Sequence, residues 1–221
     1  LTLGSASCAV LSQLGSPQGA EITAVTYNIR HGAGMDDSLR LERTAAVLIA
    51  PPGAGKTTAV APTLLTEPWC SGMVILLSPR RVAARAAAER MAELLGEKPG
   101  ETIGYLTRLD SKRSAKTRIL VMTEAIFVST ILSDPELSGV SAVLFDEAHE
   151  RHLDSDLGLA LAVECREVLR PDLRLLVMSA TLDGAALARV IGDATIVRAP
   201  GRMFDVVTMH VAAPATTAGR P

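Results

Sequence analysis

The sequence predicts a doubly wound α/β domain, a mostly parallel sheet flanked by helices on both faces. Three observations carry that expectation. From residue 46 onward, short apolar runs alternate with longer segments of helical character. The runs are apolar on both faces, as strands sandwiched between two helical layers must be. A glycine-rich turn joins the first run to a helical segment, the connection at which such folds receive anions.

The strand runs are residues 46–50, 73–77, 119–122, 142–145, 175–178 and 195–197. Residues 82–95 are rich in Ala, Glu and Arg, all strong helix formers, and stop at Gly96, which suits a left-handed C-terminal turn. Residues 155–169 have the same character and end ahead of Pro171, which cannot continue a helix. Strand–helix alternation of this kind places ligand chemistry on the loops at the strand carboxyl ends.

Composition narrows the function classes. At 221 residues, 48% hydrophobic and 21% charged, the chain suits one folded domain with an additional segment. Aromatic residues make up 3%, so the core falls to Ala, Val, Leu and Ile. A net charge of -2 gives no general basic bias, and any nucleic-acid contact must be a local patch. Cys8, Cys70 and Cys165 form no CxxC pair, which reads as reduced thiols of a cytoplasmic protein without a zinc site. No run approaches the roughly 18 consecutive apolar residues of a membrane span. Residues 1–15 lack both an initiating Met and a basic leader, so no signal peptide is expected.

The turn after the first strand reads Ala50-Pro51-Pro52-Gly53-Ala54-Gly55-Lys56-Thr57-Thr58. It is a P-loop pattern with Ala at the first glycine position. Gly53 and Gly55, with Ala54 between them, let backbone N–H groups turn toward phosphate oxygens. Lys56 is placed to reach the β- and γ-phosphates of ATP, the Thr57 hydroxyl to ligate Mg²⁺, and Thr58 to extend the cradle. A glycine-rich turn also arises for purely structural reasons, but the attached Lys-Thr pair argues for phosphate.

A second signal sits ninety positions on, where the run 142–145 ends in Asp146-Glu147-Ala148-His149-Glu150-Arg151. Paired carboxylates at a strand end suit a magnesium nucleotide. Asp146 would hold Mg²⁺, mostly through its water shell. Glu147 would orient and deprotonate the attacking water. In isolation, a charged loop capping a strand is the alternative reading.

Asp146-Glu-Ala-His149 resembles the signature of the DEAH-box helicases of superfamily 2, and further elements follow in that family's order. Ser179-Ala180-Thr181 resembles its motif III, Pro79-Arg80-Arg81-Val82-Ala83-Ala84 its motif Ia, and Thr123-Glu124-Ala125 its Thr-Glu-Gly element with Ala at the last place. Ile103-Gly104-Tyr105, with Arg108, resembles an element on the nucleic-acid side. Within the family, the segments 50–57, 136–140, 156–160 and 170–183 resemble the bacterial HrpB-type helicases. The resemblance runs from Val47 to about Asp205. It implies a RecA-like P-loop NTPase fold, ATP and Mg²⁺ as ligands, and RNA or single-stranded DNA as partner. It assigns backbone contact to Arg80, Arg81 and Thr123, and coupling between the two sites to His149, Ser179 and Thr181.

Other residues stay open. Arg108, Lys112, Arg113, Lys116 and Arg118 fit either a nucleic-acid patch or a solvated hairpin. Tyr105 fits either a stacked base or the core. Residues 1–45 read as an irregular segment with one short strand at 22–27, residues 46–205 as the ATP-binding domain, and residues 206–221 as a truncated lead-in and tail. Thr26-Tyr27-Asn28-Ile29-Arg30-His31-Gly32 resembles the opening of the endonuclease/exonuclease/phosphatase superfamily, over about residues 21–47. The carboxylate of that family's Leu-Gln-Glu element is missing, which implies a join of two fragments near 47–49 rather than a phosphodiesterase. After Thr181 no Gln-Arg-x-Gly-Arg-like element supplies an arginine finger, so the second RecA-like domain is missing from these 221 residues. Arg202 belongs to the lead-in. Little hydrolysis is expected of the chain alone, and a non-catalytic nucleotide- or RNA-binding module is the alternative reading.

Overall fold

A computed structural model describes residues 45–50, 55–180, 184–192 and 194–199, with the backbone of 21–25 and 36–40. The first two strands, β1 (Glu21–Val25) and β2 (Asp36–Arg40), pair antiparallel in a ladder of their own. The stretch 26–32, Cys8, Arg202 and the tail 206–221 lie outside the described residues.

The main sheet holds β3 (Ala45–Ile49), β4 (Met73–Ser78), β5 (Ile103–Leu106), β6 (Ser111–Lys112), β7 (Ile119–Thr123), β8 (Val140–Phe145), β9 (Arg174–Ser179) and β10 (Thr195–Arg198). Its order is β10-β3-β9-β8-β4-β7-β5-β6, and every pairing is parallel except β5 with β6. All six expected strands are present, with ends moved by no more than two residues. Two helices, α1 (Lys56–Leu64) and α2 (Arg81–Leu95), cover one face. The other face carries α3 (Glu124–Ser133), α4 (Leu153–Glu164) and α5 (Gly184–Val190). Gly96 caps α2 at φ 72°, in the left-handed region that ends the helix. The helix expected over 155–169 starts at Leu153 and passes into a π-helical turn, Cys165–Leu169.

Strand alternation explains the two layers. Ala46 and Leu48 of β3, Val74 and Leu76 of β4, and Ala142 and Leu144 of β8 face α1 and α2. Their neighbours Val47, Ile75, Leu77, Val143 and Phe145 face the opposite helices. With few aromatics available, close approach replaces bulk. The buried stripe of α2 is Ala84, Ala87, Ala88, Met91 and Ala92. On the other face Phe127 meets Phe145 edge-on at 5.8 Å, and Gly158 leaves room for them, since a Cβ there would lie 3.1 Å from Phe127. This is a RecA-like α/β fold. Among the described residues, no helix is long and apolar enough to cross a membrane.

One cation fastens the amino-terminal edge of the sheet. The Arg170 guanidinium donates to the carbonyls of Glu136 (2.9 Å), Leu137 (3.2 Å) and Val140 (3.0 Å), and its other edge meets Asp172 at 2.7 Å. The pairing holds the Asp172 carboxyl below its ordinary range. Arg170→Ala strips three carbonyls of a charged donor and is expected to cost about 2–3 kcal/mol, read from the denaturant midpoint.

Candidate functional site

Because the strands are parallel, their carboxyl ends share one edge of the sheet, and the loops leaving β3, β8 and β9 meet there. Gly55 opens α1 at φ 81°, a conformation that disfavours any side chain. That turn sends Lys56 inward, where it is 4% exposed and its ammonium donates to the Ala50 carbonyl at 2.6 Å. The next residue reaches across the sheet. The Thr57 hydroxyl donates to Asp146 Oδ2 at 2.5 Å, joining positions 89 apart in the chain. Thr58 turns back on its own loop, its hydroxyl 3.4 Å from the Gly55 carbonyl. Gly53 and Ala54 lie outside the described residues.

Asp146 is 3% exposed and also accepts the Glu147 N–H at 3.0 Å. Burial raises its pKa, the Thr57 hydrogen bond opposes that rise, the Glu147 charge adds to it, and Lys56 lowers it again. Two hard oxygens, Thr57 Oγ1 and Asp146 Oδ2, are thus held side by side next to a buried ammonium. This donor set fits a magnesium-bound phosphate chain. Among the described residues, no group of three His, Cys, Asp or Glu is placed to hold a metal. Magnesium takes most of its ligands from phosphate and water, so a bare pair of protein oxygens suits it.

The acidic loop is anchored on both sides. Glu147, half-buried at φ 51°, begins a 3-10 turn, Ala148–Glu150, which Arg151 closes, also at φ 51°. His149 Nδ1 accepts the Ala180 N–H at 3.4 Å and lies 3.3 Å from Glu147. Ser179 is buried at the end of β9, where its carbonyl accepts the Ala50 N–H at 3.1 Å. The acidic loop, the P-loop strand and the Ser179-Ala180 corner therefore touch directly. Thr181 lies outside the described residues.

The basic candidates divide. Arg80 caps the amino end of α2 just past β4, exposed and paired with Glu150 at 3.2 Å. Arg81 follows it, also exposed, and Thr123 ends β7 half-buried. All three stand on the same carboxyl edge, on the β4–β7 side of the acidic loop. Arg108, Lys112, Arg113 and Lys116 are exposed around the β5–β6 hairpin. Arg118 serves structure, donating to the carbonyls of Cys70 (2.7 Å) and Gly72 (3.3 Å). Tyr105 settles as core: it is 0% exposed, and its hydroxyl donates to Asp110 at 2.7 Å.

Four residues were not singled out from the sequence. Glu124, at the start of α3, is 7% exposed and accepts a hydrogen bond from buried Ser155. His152 stands 3.5 Å from Glu124 and 3.5 Å from Glu150. The Thr-Glu-Ala stretch was the available signal for Glu124, since a helix starting directly from a buried strand buries its first turn. Burial raises the Glu124 pKa above 4.5. Its ionised form is therefore penalised in the fold, and the penalty sets in as pH rises past that value. Glu124→Gln should remove this downward component from the stability-versus-pH curve, as read by thermal melting from pH 4 upward.

The DEAD/DEAH box helicase family model matches residues 37–190, more than two thirds of the chain. The chain belongs to that family. It is 48% identical over 169 residues to the ATP-dependent RNA helicase HrpB of Escherichia coli (strain K12), covering 76% of this chain and 21% of that protein. It is 37% identical over 166 residues to the Arabidopsis thaliana helicase DExH1, covering 72% and 16%. The crystal structure of the Escherichia coli DEAH/RHA helicase HrpB superposes with a TM-score of 0.71 at 47% identity, over 78% of this chain and 22% of that one. A second, of the Escherichia coli DExH-box NTPase HrpB, gives 0.70 at 46%, over 79% and 22%. The DEAH-box domain described here is closely related to the bacterial HrpB-type helicases. It spans about a fifth of the length of the relatives it matches.

Proposed function

We propose that residues 46–205 are the ATP-binding module of an ATP-dependent nucleic-acid helicase, holding ATP–Mg²⁺ at one part of the sheet edge and single-stranded nucleic acid at another. The observation that carries the reading is the 2.5 Å bond between Thr57 and Asp146, which joins the P-loop to the acidic loop. Lys56, Thr57 and Thr58, with Gly53, Ala54 and Gly55 supplying backbone N–H groups, would hold the triphosphate. Thr57 and Asp146 would hold magnesium, which when bound offsets the charge developing on the transferred phosphoryl group. Glu147 would orient the attacking water and take its proton. His149, Ser179 and Thr181 would carry the state of this site toward the nucleic-acid side.

Arg80, Arg81 and Thr123 would contact the sugar–phosphate backbone, giving the sequence-independent grip a translocating motor needs. RNA is the preferred partner, since the relatives at 48% and 37% identity are both described as RNA helicases. A cytoplasmic location goes with this reading.

Titration of a fluorescent ATP analogue with and without Mg²⁺, repeated with a single-stranded oligonucleotide, tests it. Saturable, magnesium-dependent binding is expected, together with salt-sensitive binding of the oligonucleotide. Loss of nucleotide binding would sink the proposal. Binding of both ligands, with no turnover even when the remainder of a related helicase is supplied, would favour a non-catalytic module. Thr57→Val is expected to keep the fold and abolish the magnesium dependence of nucleotide affinity.

A further inference from the structure

We propose that Glu150 occupies the place of a nucleic-acid phosphate on Arg80, so that the strand must displace this carboxylate to bind; this rests on the nucleic-acid reading above. Arg80 is the exposed cation nearest the acidic loop on that side. Its guanidinium is already engaged, with Nη2 3.2 Å from Glu150 Oε1. A carboxylate presents arginine with two anionic oxygens, as the non-bridging oxygens of a phosphodiester do. Bound through Nη2, the carboxylate competes with a phosphate for that edge of the guanidinium.

Three features make Glu150 a built-in competitor rather than a passing surface partner. It closes the short turn Ala148–Glu150, whose flanking residues Glu147 and Arg151 both sit at φ 51°. The turn is held further by His149 against Ala180. The backbone that carries Glu150 is thus anchored at the sheet edge. The Glu150 side chain is 27% exposed against 73% for Arg80, so the mobile member of the pair is the cation. Finally, His152 Nε2 lies 3.5 Å from Glu150 Oε2, so the carboxylate keeps a neighbour when Arg80 leaves. An exposed pair of this kind is weak, which suits a competitor that must yield to nucleic acid.

The test is a double-mutant cycle on the 221-residue chain with a fluorescently labelled oligouridylate, read by anisotropy over a range of salt. Glu150→Gln should tighten binding about 3- to 5-fold in the Arg80 background. The log–log salt slope should stay close to the parent's, because the same Arg80–phosphate contact forms in both once the carboxylate has been displaced. With Arg80→Gln already present, the same change should act by less than about 2-fold, with no change of slope. Glu150→Asp separates pairing from plain repulsion. It keeps the charge but shortens the reach, so it should behave like Glu150→Gln. Equal effects of Glu150→Gln in both backgrounds, or a Glu150→Asp protein indistinguishable from the parent, overturn the inference while leaving nucleic-acid binding intact. If neither the parent nor Glu150→Gln holds the oligouridylate at low salt, the nucleic-acid reading fails and takes the inference with it.

Discussion

Lys56→Met is expected to lower the affinity for ATP–Mg²⁺ by about 100-fold or more while leaving the melting temperature close to that of the parent. Lys56 is 4% exposed, and its ammonium rests on the Ala50 carbonyl, at the end of the loop proposed to wrap the phosphates. Removing a buried, hydrogen-bonded charge from its partner costs about 2–5 kcal/mol in binding, which brackets that fold-change. Methionine fills nearly the same volume, so the loss falls on the ligand rather than on packing. Lys56→Ala should lose binding equally but also leave a void beside the sheet. Titration of the fluorescent ATP analogue, with thermal melting on the same samples, separates the two. A Lys56→Met protein that binds nucleotide like the parent would remove the triphosphate from this edge altogether.

The same lysine shows what was legible in the sequence. β3, β4, β8 and β9 lie between two helical layers, so they read as uninterrupted apolar runs, and their loops could be placed from that alone. A parallel sheet then forces Lys56, Asp146 and Ser179 to one edge, whatever their separation along the chain. Elements without that signature were missed. The helix α3 follows β7 with no intervening loop, so no turn residue marks where the strand ends and the helix begins. Strand β5 is four residues long and contains Gly104.

Side-chain roles were legible only where a local pattern carried them. Tyr105 was undecided because its burial depends on Asp110, which the β5–β6 hairpin brings back to it. Arg118 looked like one more cation of a basic cluster, yet its partners are carbonyls more than forty positions away. The Arg80–Glu150–His152–Glu124 chain needs the ends of β4, β7 and β8 to be neighbours. No periodicity within a single segment encodes that.

The remaining large effect concerns turnover. The 221-residue chain is expected to hydrolyse ATP about 10³–10⁵ times more slowly than a helicase of the family whose cleft receives an arginine finger. In the proposed site, the edge formed by β3, β8 and β9 would supply a lysine, a magnesium ligand set and a base. Among the described residues, the cation that acts on Asp146 is Lys56 and not a guanidinium, which is what the charge developing on the transferred phosphoryl group would need. The arginines flanking the acidic loop have other engagements: Arg80 meets Glu150 at 3.2 Å, and Arg151 meets Asp156 at 2.9 Å. Binding and chemistry should therefore separate, with ATP–Mg²⁺ held at ordinary affinity and phosphate released at a rate near background. Single-turnover phosphate release measured beside equilibrium titration reads both quantities on one preparation. A rate of several per second from this chain alone would mean that some residue of the 221 already acts as the finger.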